Sequence, residues 1–161
     1  MSVTISFVSA TPEELDRAEK EPDWADEYVD ALYDFDDPEA PGRPDCGPEK
    51  AWAGLQFLFD EAEVDVDLLM DGFTIQEDGT LFGWTPEQIA SLARDLRATP
   101  WQQLAAHYHP EEMTKEDVYP NMWRFDPDSE LEWLKDAYEE LVAFCTAAAE
   151  RGYGAFMMFS F

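Results

Sequence analysis

A single α+β domain is the fold this chain predicts, and three observations carry it. The N-terminus alternates apolar and polar residues with a period of two, the C-terminus is a short, almost wholly apolar run, and helical periodicity fills most of what lies between. Residues 1–161 read as one unit, because no repeat, low-complexity segment or linker divides them and 161 residues are enough for one sizeable core.

Ser2 to Ser9 places Val3, Ile5 and Phe7 on one face of a strand rich in β-branched residues. Thr11-Pro12-Glu13-Glu14 supplies an N-cap, a proline at the first helical position and a capping-box glutamate, which predicts a helix over 12–20. Pro22 ends it. Trp24, Tyr28 and Leu32, four apart, predict a second helix over 23–33 that turns Asp23, Asp26, Glu27 and Asp30 outward. Tyr33 to Gly47 is rich in Pro, Gly and Asp and reads as an exposed loop, with Asp34, Asp36 and Asp37 solvated and Cys46 in a turn. Pro48 then opens a core helix over 49–61 through Trp52, Leu55 and Phe59.

Residues 63–82 leave two readings open, alternating strand or short capped helix, punctuated by the Asp71-Gly72 and Asp78-Gly79 turns. Thr85-Pro86-Glu87-Gln88 is a second capping box, opening a helix over 86–97 with Trp84 stapled onto Ile89. Thr99-Pro100 repeats the start for a helix over 100–108, which His109-Pro110 ends, and 113–123 reads as irregular chain packed on the core. The stripe Leu131, Leu134, Tyr138, Leu141, Cys145, Ala148 predicts a long helix over 130–151, capped by Asp126 or by a Ser129/Glu132 box and stopped at Gly152. Tyr153 to Phe161 is apolar at odd and even positions alike, which predicts a central strand with Phe156 and Met158 on one face, Met157 and Phe159 on the other, all buried, beside the N-terminal strand.

Charge bounds the function. Against 37 acidic side chains stand 10 basic ones, a formal net charge of −27, and residues 1–80 hold 23 of the acids and 4 of the bases. Such a field repels nucleic acid and anionic membrane and speeds encounter with a basic protein, while the plainer reading is that it keeps the chain in solution. No apolar run has the length of a bilayer span and the N-terminus lacks a signal core, so a cytoplasmic protein is expected, with two unpaired cysteines.

The sequence holds no phosphate-cradling Gly-rich loop, nucleophile elbow, Cys-x-x-Cys or His-Glu-x-x-His, and therefore predicts no cofactor and no metal. Its two histidines, His107 and His109, are two apart and diverge on a helix, so they would chelate only if the helix had already unwound. Four of the six tryptophans have core or staple explanations, which leaves Trp24 and Trp123 as candidate surface anchors.

The N-terminal strand with Thr-Pro-Glu-Glu-Leu, then Glu49-Lys50-Ala51-Trp52-Ala53-Gly54-Leu55, Thr85-Pro86-Glu87-Gln88, Val118-Tyr119-Pro120 and a final helix-strand unit together resemble the YfbM-like family, a domain of unknown function. The resemblance spans the chain and implies a compact α+β domain of bacterial origin with no established activity to carry over. The resemblance implies histidines beside that tryptophan in many members, and Ala53 and Gln56 stand there in this chain, so shared histidine chemistry is not implied.

The expected function is a non-enzymatic, acidic interaction domain, in its most concrete form an immunity protein or inhibitor of a basic toxin or nuclease. Asp23, Trp24, Asp26, Glu27 and Asp30 are its expected contact residues. The alternative is an enzyme or small-ligand binder with a pocket near His107, Tyr119 and Trp123.

Overall fold

A computed structural model describes residues 2–32 and 43–161. The described elements run β1 (Thr4–Ala10), α1 (Pro12–Lys20), α2 (Pro22–Leu32), β2 (Asp45–Glu49), α3 (Trp52–Glu61), β3 (Phe73–Thr74), β4 (Leu81–Trp84), α4 (Pro86–Arg97), α5 (Trp101–Ala105), α6 (Pro110–Lys115), α7 (Pro127–Glu150) and β5 (Gly154–Ser160). The strands make one antiparallel sheet in the order β2-β1-β5-β4-β3, an α+β architecture with the terminal strands adjacent at its centre.

β5 is buried on both faces because each face has its own helical cover. Ile5, Phe7 and Met157 point into the larger core, which α3, α4 and α7 close with Leu55, Phe59, Ile89, Leu92, Leu134 and Leu141. Val8, Ala10 and Phe156 point into a smaller core closed by Leu15 and Ala18 of α1 and Ala25 and Val29 of α2. The predicted alternation along β5 therefore holds, but burial fades toward its end: Met158 and Phe159 are only half-buried, not enclosed as expected.

Both capping boxes form as read. Thr11 Oγ1 accepts from Glu14 N at 3.1 Å while Glu14 Oε1 accepts from Thr11 N at 2.8 Å, and Thr85 and Gln88 repeat the exchange at 3.1 and 2.8 Å. Satisfying two otherwise orphaned N–H groups apiece, they set where α1 and α4 begin. Pro22 ends α1 by opening α2.

Five expectations need correction. Residues 45–49 are not a loop running into a helix but the edge strand β2, which pairs Cys46 with Phe7 and Asp45 with Val8 across an irregularity between Ile5 and Phe7. An edge strand with a shifted register tolerates proline, so Pro48 sits in the sheet, Cys46 is buried instead of lying in a turn, and α3 starts at Trp52. The helix expected over 100–108 shortens to α5, whose end tightens into i to i−3 bonds from His107 N to Leu104 O at 2.9 Å and from Tyr108 N to Ala105 O at 3.0 Å, and Thr99 turns its hydroxyl back to Asp95 O at 2.8 Å instead of capping its start. Pro110, read only as a helix end, opens α6, which carries Met113 to Lys115 of the passage read as irregular. Of the two starts read for α7, the Asp126 cap forms, accepting from Ser129 N at 3.2 Å, so the helix begins at Pro127 and the bound of 130 moves back. Residues 63–82 resolve into turns, β3 and the first two residues of β4, while residues 33–42, with Asp34, Asp36 and Asp37, lie outside the described residues.

Asymmetric burial along β5 sets an expected mutational order. Phe156→Ala should cost about 3–5 kcal/mol in denaturant unfolding, and Phe159→Ala less than half as much, since its ring already keeps part of its surface in water. Equal losses would place Phe159 in the core.

Candidate functional site

α2 presents its acids as the helical spacing predicts: Asp23, Asp26, Glu27 and Asp30 are all exposed, with Ala25 and Val29 turned inward. Partial burial, and then the neighbouring charges of Asp30, Asp78, Asp23 and Glu27, raise the Asp26 carboxyl above its ordinary value. Asp78 belongs to the turn before β4, so the fold adds to this face a carboxylate that the helical pattern alone does not supply.

Trp24 is held rather than free. Its ring stacks on Tyr28 with centroids 4.8 Å apart and 18° between planes, and the Arg17 guanidinium of α1 covers it at 4.1 Å from the ring centroid. Such a cation over an indole is attracted by the ring's negative face. Beneath this stack lies a latch that the sequence did not suggest. Arg43 donates to both carboxylate oxygens of Glu14, Nη1 to Oε1 at 2.6 Å and Nη2 to Oε2 at 2.9 Å, and also to the Tyr28 hydroxyl at 3.0 Å and to Ser9 O at 3.3 Å. The Tyr28 hydroxyl donates in turn to Glu14 Oε2. One carboxylate thus caps α1, takes both bonds of the Arg43 guanidinium beside β2, and fixes α2 by its tyrosine.

The second expected group is not assembled in this way. Trp123 is fully buried, not a surface anchor: its Nε1 donates to Val118 O at 2.8 Å, and its ring lies against Gly54, where a Cβ would come within 2.6 Å of it. Tyr119 accepts from Val3 N at 2.9 Å and stacks on Trp52, whose Nε1 donates to Val3 O at 3.1 Å, so this pair pins the start of β1. His107 is half-buried and His109 exposed, at the two sides of the turn between α5 and α6. Nearby, burial and then the charges of Glu130, Asp128 and Asp126 push the Tyr108 phenol up to about 12 while it donates to Pro127 O at 2.8 Å.

Gln56 has a structural task. Its Nε2 donates to Val66 O at 2.8 Å and its Oε1 accepts from Leu68 N at 2.9 Å, tying the 63–72 loop to α3. Both thiols are buried, and burial first of all raises their pKa, Cys145 to about 12, which keeps them protonated and poorly nucleophilic. Among the described residues no three His, Cys, Asp or Glu side chains are placed to hold a metal ion, and no helix is long and apolar enough to cross a membrane.

The latch gives a pH dependence with a definite sign. Burial alone would raise the Glu14 carboxyl, but the bonds from Arg43, Thr11 N and Tyr28 outweigh it and leave the group below its ordinary value. Stability from a depressed carboxylate is complete above its unfolded pKa and lost as pH falls through the folded one. Glu14→Gln should therefore destabilise at neutral pH, with the gap to the parent closing as pH drops through the carboxylate range. A gap independent of pH would show that the charge contributes nothing.

Comparison with known proteins bears on the fold and the family. The crystal structure of a protein of unknown function, YfbM from Escherichia coli, superposes with a TM-score of 0.71 over 98% of this chain and 99% of that one at 15% identity, which is a likeness of fold. No curated protein matches the chain. The family model for the domain of unknown function DUF1877 matches residues 1–158, and the chain belongs to that family.

Proposed function

We propose that this chain is a non-enzymatic protein-interaction domain whose acidic α2 face docks a basic partner. The observation that carries the reading is the exposure of Asp23, Asp26, Glu27 and Asp30 together, with Asp78 close enough to raise Asp26. Like charges gathered on one rigid face destabilise the free protein, and a cationic surface laid over them relieves that repulsion while steering encounter. The Arg17–Trp24–Tyr28 stack supports the reading by holding the face in one orientation before a partner arrives, which lowers the ordering cost of binding.

The concrete form proposed is a bacterial immunity protein or inhibitor that masks the cationic surface of a toxin or nuclease in the cytoplasm. A pocket enzyme built on His107, Tyr119 and Trp123 has less support, since the Tyr119 hydroxyl and the Trp123 indole N–H are engaged by backbone and Trp123 is enclosed.

The test replaces Asp26 and Asp30 with lysine and measures association with a basic protein captured from the native host at low salt. Association should slow and its salt dependence flatten. Thermal stability should stay level or rise, because a carboxyl with a raised pKa costs stability above that pKa and its removal relieves the cost. An association rate untouched by the charge reversal would overturn the proposal and leave the acids as a solubility device.

A further inference from the structure

On the side of the sheet opposite α1 and α2, an open groove of about 580 Å3 runs between the end of α4, the start of α5 and the middle of α7. Leu96, Trp101, Tyr138 and Val142 give it apolar walls, and Trp101 and Val142 are only half-buried, so part of that apolar surface faces water. Arg97 of α4 and Lys135 of α7 line it as well. Its volume is that of a site for a small organic molecule.

Two cations in one groove run against the composition of the molecule, in which acids outnumber bases 37 to 10. Neither has a partner within the described chain. Lys135 and Glu139 are spaced for an ion pair along α7, yet among the described residues Lys135 makes neither an ion pair nor a hydrogen bond, and the same holds for Arg97. A cation in the last turn of a helix can serve its terminal carbonyls, but at the end of α4 the Tyr138 hydroxyl already donates to Leu96 O at 2.7 Å and to Thr99 O. The Arg97 guanidinium is left free. Tyr138 also braces Trp101, with ring centroids 5.7 Å apart, so the indole is fixed as one wall of the groove.

We propose that the groove binds a small planar aromatic acid, its ring laid on Trp101 and Val142 and its carboxylate held by Arg97 and Lys135. A guanidinium fork can meet a carboxylate with two parallel bonds, the lysine adds a point charge, and the indole offers a face for stacking. Glu139 lines the same groove and opposes the anion, so the cations act against one local carboxylate. This inference stands apart from the partner-binding reading of α2 and survives or fails without it.

Indole N–H resonances of the 15N-labelled protein test it, with 2-naphthoate as the probe at about 0.15 M sodium chloride, which screens the distant carboxylates. The Trp101 signal is assigned through its Overhauser contacts with the Tyr138 ring, so no variant of a packed residue is needed. Naphthoate should shift this signal saturably and the other five indole signals little. At equal concentration 2-naphthalenemethanol, which lacks the charge, and acetate, which lacks the ring, should each shift it less. Replacing both cations, Arg97→Gln with Lys135→Gln, should weaken naphthoate binding about three- to thirtyfold. A Trp101 signal unmoved by naphthoate, moved equally by the neutral alcohol, or saturating identically in the double variant would overturn the proposal.

Discussion

The whole molecule depends on β5 being buried on both faces. A strand that cannot show either side to water must have a helical layer above and below and a strand on each edge, and the chain meets all four demands with β1, β4, the α3/α4/α7 core and the α1/α2 pair. Because β1 and β5 are the first and last strands, their seven-residue pairing from Thr4–Ser160 to Ala10–Gly154 closes the chain on itself. Everything between is a series of excursions from that pair, and the site candidates lie on those excursions rather than in the sheet.

The smaller core explains why α2 tolerates so much negative charge. Ala25 and Val29 are its only fully buried residues, a thin apolar contact for a helix carrying four exposed acids. The aromatic stack and the Glu14–Arg43–Tyr28 latch add directional bonds where apolar area is short. Arg43 is well placed for this, since a planar guanidinium can meet both oxygens of one carboxylate and a phenol together. Half-buried polar contacts of this kind are worth more than the exposed Arg17–Glu21 pair on the same helix boundary, where solvent screens the charges.

What was legible in the sequence was local. Periodicity placed α4 over Pro86–Arg97, and Thr11 and Thr85 marked helix starts by bonds that reach only three residues. Apolar groups at consecutive positions of 153–161 marked a central strand, because that pattern suits few other environments. What was missed needed partners far along the chain. Pro48 reads as a helix opening until β1 is seen beside it, and Cys46 reads as a turn residue until it faces Phe7. Trp123 carries no pattern that distinguishes an anchor from a core ring, since its burial depends on Gly54 making room sixty-nine positions earlier. Glu14, Tyr28 and Arg43 share no spacing that announces a cluster, and Arg97 and Lys135 share a groove only because α7 packs against the end of α4.

If β5 does join both layers into one cooperative unit, amide hydrogen exchange measures it most directly. The amides of Phe7, Val8, Phe156 and Met157, which face opposite cores, should exchange only through global unfolding and report the same opening free energy as denaturant melting. Alternating amides that differ by which core their side chains enter, with the Val8 and Phe156 set opening well below the global value, would contradict the account and make α1 and α2 a separately folding cover.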